Sequence, residues 1–285
     1  MESSPSAAAL VSRFVAGREI EDALRVGRQL NRSGLSATLA YLGESITELK
    51  EASAAREVFL RLIERLHAGG LEANISLKLT QLGLDLSESA CRDHLEALTR
   101  RAAELGGFLR VDMESSAYTE RTLSLVAGLH ARYPAIGAVI QSSLYRSEQD
   151  LESLIGRRIR VRLCKGAYDE PPEAAFARKS QVDRNFEKLA RRLLLEGAYP
   201  ALATHDERLL RALLRFAEEK GLDPNSYELQ MLYGVRRDLQ ASLAARGRRV
   251  RIYVPFGDAW YPYFMRRLAE RPANVYFVVR SLLRG

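Results

Sequence analysis

The residues with the clearest chemical potential lie in one run near the C-terminal end, Trp260-Tyr261-Pro262-Tyr263-Phe264-Met265-Arg266-Arg267-Leu268-Ala269-Glu270-Arg271-Pro272. Read as a helix, Tyr263, Arg266, Arg267 and Glu270 are spaced to fall on one stripe. Two adjacent guanidiniums make a clamp that suits a small carboxylate, which each can bind through paired N–H donors. A solvated helix face with an Arg–Glu pair has the same spacing. The flanking aromatics, and the position just after an extended run, favour a ligand.

Other polar residues end apolar, β-branched runs: Lys78 and Thr80; Asp112, Met113 and Glu114; Gln141; Arg162 through Tyr168; Thr204, His205 and Asp206; Gln230 and Leu232; and Tyr253. One polar ligand bound across a common mouth accounts for the set better than separate solvent-facing ends. In the fifth run Arg158, Arg160 and Arg162 alternate with Ile159, Val161 and Leu163. The apolar set should pack outward, so the arginines point inward, and Arg162 meets a ligand anion or an electron-rich ring. In Lys165-Gly166-Ala167 the glycine lets backbone approach a ligand closely. His205 reads as a base, a metal ligand or a hydrogen-bonding residue. His67, His94 and His130 are scattered over helical patterns, and Cys91 and Cys164 match no zinc or CxxC spacing, so no metal site is expected.

These groups need a frame that brings strand ends together. Extended segments at Ala37–Gly43, Ala73–Thr80, Phe108–Met113, Ala135–Gln141, Arg158–Lys165, Tyr199–His205, Tyr227–Leu232 and Val250–Gly257 start about 30 residues apart, one βα unit each. Asp85 with Glu88, and Ser147 with Asp150, resemble capping boxes ahead of helices at Cys91–Leu105 and Leu151–Ile155. Glycines at Gly106–Gly107, Gly156 and Gly221 read as helix stops. With no Pro/Gly/Ser-rich linker, the pattern predicts one (β/α)8 TIM barrel domain over 1–285. Its first 36 residues form an N-terminal helical extension that caps strand one. An open doubly wound sheet is the alternative, weakened because no strand is followed by G-x-G-x-x-G.

The 285 residues are 47% hydrophobic and 28% charged, which excludes disordered and collagenous classes. No apolar stretch nears the roughly 20 residues of a membrane span, and the start lacks the form of a secretory signal. The net charge of +7 suits an anionic partner. Nucleic acid is disfavoured because the arginines lie on inward strand faces and one helix stripe, without a basic run.

Six words of the sequence resemble the proline dehydrogenases, the bacterial monofunctional ones in particular. They are Ser76-Leu77-Lys78-Leu79-Thr80, Val111-Asp112-Met113-Glu114, Val161-Arg162-Leu163-Cys164-Lys165-Gly166-Ala167-Tyr168, Ala203-Thr204-His205-Asp206, Glu228-Leu229-Gln230-Met231-Leu232-Tyr233-Gly234 and Tyr263 through Asn274. The resemblance implies a distorted barrel with its final helix over the mouth. It also implies oxidation of L-proline to 1-pyrroline-5-carboxylate by hydride transfer to FAD N5, with electrons passed to ubiquinone or menaquinone. Another flavin-dependent barrel, such as a methylenetetrahydrofolate reductase, is the alternative. By resemblance Arg266, Arg267 and Lys78 hold the proline carboxylate, with Asp112 pairing Lys78. Leu163, Tyr168, Tyr253 and Tyr263 wall the ring. Met113, Gln141, Arg162, Cys164, Lys165, Gly166, Ala167, Thr204, His205, Gln230, Leu232 and Glu270 line the flavin. Cys164 stands where valine is usual and is expected to be a buried core residue. The N-terminus looks shorter than in relatives. The chain ends after one barrel, which implies a separate pyrroline-5-carboxylate dehydrogenase. Localisation is expected in the cytoplasm, with peripheral contact on the inner face of the membrane.

Overall fold

The apolar runs become strands β1 (Ser36–Tyr41), β2 (Asn74–Leu77), β3 (Phe108–Val111), β4 (Ile136–Gln141), β5 (Arg160–Cys164), β6 (Ala201–Ala203), β7 (Glu228–Leu232) and β8 (Val250–Phe256). All pair in parallel and close in sequence order, β8 onto β1. The structure, a computed structural model, describes residues 11–43 and 46–269, and for 266–269 the backbone alone. Helices Leu49–Ala68, Glu88–Glu104, Thr119–His130, Ser147–Gly156, Lys179–Glu196, Glu207–Glu219 and Arg237–Ala245 follow β1 to β7 in turn. This is the (β/α)8 barrel predicted. Strands are shorter than the apolar runs; β2, for example, gives way to a 3-10 turn at Thr80–Leu82.

Alternation along each strand sorts the core. Outward residues such as Leu77, Val111, Val161 and Leu163 join helix residues such as Phe59, Leu95, Phe186 and Leu213 in one buried apolar cluster. Burying side chains of this size is worth about 1.5–3 kcal/mol each, which fixes strand register. The inward face is polar. Arg110, Arg162 and Arg251 are all under 7% exposed, and small neighbours make room for them. A Cβ on Gly137 would lie 2.8 Å from the Phe108 ring and 3.4 Å from the Arg110 guanidinium.

Several local expectations change. Ser87, not Asp85, caps the helix Glu88–Glu104, accepting from Ala90 N at 3.2 Å. Asp85 instead accepts from the Tyr118 hydroxyl at 2.8 Å. Ser147 lies inside its helix and donates to the Gln141 carbonyl, while Asp150 pairs with Arg146. Gly156 is the last residue of that helix, and Arg158 takes the left-handed turn (φ 56°) outside β5. Arg158 is therefore not on the inward face. Arg160 is exposed and stacks on Phe108 and Tyr199, at 5.0 and 5.1 Å from their ring centroids. Only Arg162 of the three reaches the sealed interior.

The helix Ile20–Arg32 does not cap strand one. Its buried Ala23, Leu24 and Val26 lie against β1 and β8, the slot where a regular barrel would place its eighth helix. The helix after β8, Trp260–Ala269, packs elsewhere. Its Phe264 meets Phe14, with ring centroids 6.3 Å apart, and its Tyr263 packs with Val15 and Leu42, with Tyr253 against them. The segment before Gly17 supports this helix and is tied to the barrel by Ala16 N to the Pro255 carbonyl at 2.9 Å.

Candidate active site

The C-terminal ends of the strands gather most of the predicted residues, and Arg162 on β5 is their hub. Its Nη1 donates to Asp112 Oδ1 (2.6 Å), its Nη2 to Ser76 Oγ (3.0 Å) and its Nε to Gln230 Oε1 (2.5 Å). Four strands, β2, β3, β5 and β7, thus converge on one guanidinium. Asp112 also accepts from the Tyr253 hydroxyl at 2.9 Å, and the Tyr253 ring lies 5.4 Å from the Arg162 guanidinium. Asp112 thus holds Arg162 and Tyr253 together. Inward positions at the ends of β3, β5 and β8 meet across a narrow barrel, which linear spacing does not reveal. Burial, reinforced by the Asp112 carboxylate, holds the Tyr253 phenol well above its ordinary pKa, so it is a neutral donor.

Around the rim, Gln141 is buried and donates its amide to the Glu114 carbonyl at 2.7 Å. Glu114 in turn accepts from Thr80, through its hydroxyl at 2.6 Å and its backbone N at 3.2 Å. Gly166 has φ +116°, and a Cβ there would strike Ser143 Oγ at 2.2 Å. The close approach demanding glycine is therefore to Ser143 of the β4 loop. Ala167 is exposed and Tyr168 half-buried beside it.

Lys165 is shared between Asp183 (2.6 Å) and Asp206 (3.0 Å). Lys179 also binds Asp183 at 2.5 Å. Burial pushes the Asp183 and Asp206 carboxyls up, but Lys165 and its neighbours outweigh this and hold both below the usual carboxylate range. Asp206 also caps the helix Glu207–Glu219, accepting from Arg208 N and Leu209 N. Thr204 Oγ1 accepts from Asp206 N at 3.1 Å. His205 Nε2 accepts from Leu232 N at 2.9 Å, so its neutral ring carries the proton on Nδ1 and fastens β6 to β7.

Two predicted residues stand differently. Leu163 is fully buried in the helix-facing core, because Arg162 points inward and the next residue must point outward. It cannot wall a ligand in the mouth. Leu232, on the inward face with Gln230 and half-buried at the rim, is placed to do so. Cys164 is half-buried at the rim on the inward side, not sealed in the core; burial pushes its thiol up to about 11. Met113 is buried just beyond β3. Lys78 is half-buried just beyond β2. Tyr263 is buried beneath the final helix. Positions 266 and 267 follow it by three and four residues in the same helix, but their side chains, and all of Glu270, lie outside the described residues.

Sequence reasoning missed Ser76, Asp183 and Glu228. Ser76 shares the inward parity of Lys78, Glu228 that of Gln230, and Asp183 lies one turn after Lys179. Those were the available signals.

The rim divides into two arcs. Lys78, Asp112 and Tyr253, with the final helix, occupy β2, β3 and β8. Gln141, Lys165, Thr204, His205 and Leu232 run along β4 to β7. Arg162, from β5, joins the arcs through Asp112.

Residues 23–280 match the family model described as proline dehydrogenase. The chain is 41% identical over 272 residues to proline dehydrogenase 1 of Bacillus subtilis subsp. natto, covering 95% of this chain and 90% of that one. It is 40% identical over 281 residues to proline dehydrogenase of Deinococcus radiodurans, covering 97% and 91%. Among solved structures it resembles proline utilization A (PutA) from Bdellovibrio bacteriovorus inactivated by N-propargylglycine, with TM-score 0.85 and 26% identity. That match covers 91% of this chain but only 32% of the larger protein.

Proposed function

Because this chain belongs to the proline dehydrogenase family, and so oxidises proline in proline catabolism, we propose a finer reading. L-proline is oxidised to 1-pyrroline-5-carboxylate with FAD as cofactor, and a membrane quinone, ubiquinone or menaquinone, takes the electrons. The observation that carries it is the Arg162–Asp112–Tyr253 tie, which sets a buried cation between the two arcs of one mouth.

The donors along β4 to β7 fit a flavin. Arg162 has five N–H donors and spends three on Gln230, Asp112 and Ser76, leaving two. Lys165 spends two of its three on carboxylates. Gln141, with its amide donated to Glu114, keeps its carbonyl oxygen near Gly166, 3.4 Å from where a Cβ would stand. The Arg162 and Lys165 donors suit a ring edge rich in carbonyl and imine groups and a pyrophosphate, and the Gln141 oxygen can accept from a ring N–H. Bound there, FAD supplies the two-electron acceptor that oxidation of the N–C5 bond needs. On the other arc Arg266, Arg267 and Lys78 hold the proline carboxylate. Tyr253, Tyr263, Tyr168 and Leu232 wall the ring and shut out water, which strengthens every charge interaction inside. Arg162 favours negative charge developing beside it.

We take residues 1–285 as one working domain. A separate pyrroline-5-carboxylate dehydrogenase oxidises the product, on the likeness to relatives that this chain covers to 90% of their length. The net charge of +7 supports peripheral contact with an anionic membrane from the cytoplasm, where a quinone is reached.

The purified protein should be yellow, and L-proline should bleach it in the absence of oxygen. A colourless protein that neither binds added FAD nor reduces a dye with proline overturns the reading; bleaching by NADH but not by proline points to a different flavin barrel.

A further inference from the structure

Below Arg162 the barrel interior holds a second polar layer that the reaction does not use directly. Glu228, at the start of β7, is 3% exposed and accepts from Arg251 Nε (3.0 Å to Oε1, 2.9 Å to Oε2) and from the Tyr199 hydroxyl (3.3 Å). It also accepts from Gln230 Nε2 at 2.5 Å. Arg251 is held in turn by Glu72 (2.9 Å) and by the Ala37 carbonyl (2.8 Å). Burial pushes the Glu228 carboxyl up, but Arg251 outweighs it, so Glu228 is charged.

A carboxylate only accepts hydrogen bonds, whereas a glutamine amide has one donating end and one accepting end. Glu228 therefore dictates which way Gln230 faces. Its NH2 must point down to Glu228, and its Oε1 must point up to Arg162 Nε. Gln230 is 3% exposed, and both ends of its amide are engaged. We propose that Glu228 is a positioning residue that acts through Gln230, fixing the amide so that Arg162 is presented to the mouth in one orientation. This rests on the reading that Arg162 faces the flavin.

Neutralising Glu228 removes the dictation. In Glu228→Gln the new amide can donate to Gln230 Oε1, which turns the Gln230 NH2 toward the Arg162 Nε–H. Two donors then face each other and Arg162 must tilt. A double-mutant cycle separates this from a general structural effect. Arg162→Met first tests the underlying reading: it should shift the visible spectrum and midpoint potential of the bound flavin, and no shift sinks that reading rather than the inference.

Glu228→Gln should then move spectrum and potential in the direction of Arg162→Met, and lower kcat about 10- to 100-fold, as expected for one misdirected bond to a charged group. On a Gln230→Ala background, where no amide remains to orient, Glu228→Gln should change neither potential nor kcat further. Equal effects of Glu228→Gln on both backgrounds would overturn the proposal, as would an unmoved potential on the native background. Should Glu228→Gln fail to fold, Gln230→Ala alone decides: with no amide oxygen at Arg162 Nε it should move the potential in the direction of Arg162→Met, and an unmoved potential overturns the proposal.

Discussion

Replacing Asp112 by asparagine alters two bonds at once and shows how tightly the mouth is tied. In the native protein Oδ1 accepts from Arg162 and Oδ2 from the Tyr253 hydroxyl. An asparagine keeps its oxygen for Arg162, the stronger donor, and turns its NH2 to Tyr253. The phenol then accepts instead of donating, and its proton loses its partner. The Tyr253 bond falls from charge-assisted to neutral strength, about 1 kcal/mol, while the Arg162 bond keeps its charged donor. The Arg162 side chain, 7% exposed, also keeps a charge that no carboxylate beside it cancels. That adds about 1–2 kcal/mol. The sum, about 2–3 kcal/mol, should lower Tm by roughly 4–9 °C at about 2–3 °C per kcal/mol for a chain this size. Tyr253→Phe alone, which removes only the hydroxyl, should cost about 1 kcal/mol. Combined with Asp112→Asn it should add little, because the bond is already compromised. Calorimetry of the two single variants and the double variant, with KM and kcat from proline-dependent dye reduction, is the assay. Fully additive costs, or an unchanged Tm in Asp112→Asn, would refute the tie between β3, β5 and β8.

Further outcomes follow from the same geometry. Leu163→Ala should cost about 2–5 kcal/mol in stability with KM for proline unmoved, whereas Leu232→Ala should raise KM with a smaller loss of stability; the reverse pattern in paired melts and kinetics would return Leu163 to the mouth. Arg266→Met and Arg267→Met should each raise KM at least about tenfold, from the loss of one charge-assisted bond of about 1.5–3 kcal/mol. Asp183 and Asp206 have depressed folded pKa values, so the stability they contribute is present above the ordinary carboxylate value of 3.8 and is lost as pH falls through the lower folded values. Asp183→Asn should therefore destabilise at pH 7 and converge on the native protein in strong acid, measured by urea melts across pH. Cys164, raised to about 11, and Cys91, raised to about 12 and fully buried, should both react slowly with a thiol reagent near neutral pH, Cys91 more slowly; fast labelling of Cys91 would contradict its burial.

Much of the frame was legible because it is written locally. Strand runs about thirty residues apart announce βα units, and alternation in β5 announces that Val161 and Leu163 face helices while Arg162 faces in. The same rule, carried through, also removes Leu163 from the mouth, which the resemblance had placed there. Gly156 and Ser147 misled because a cap or a stop depends on the backbone angles of its neighbours: Arg158 takes the left-handed turn, and Ser147 finds a carbonyl on β4.

The sequence by itself determined which parity of each strand faces inward and which of its ends is polar, since both follow from period-two alternation and the placement of ionisable groups at the close of apolar runs; it did not determine where β5 begins, which leaves Arg158 off the strand and Arg160 exposed. Only the tertiary structure decided the partners. Arg162 and Asp112 are fifty residues apart, Arg162 and Ser76 eighty-six, and Asp112 and Tyr253 a hundred and forty-one. The structure likewise decided that the helix before β1 fills the eighth slot, leaving the helix after β8 to pack its Tyr263 beside Tyr253. Closure of a parallel sheet brings distant strand ends within hydrogen-bond reach, and a buried charge must find its partner among whatever closure delivers.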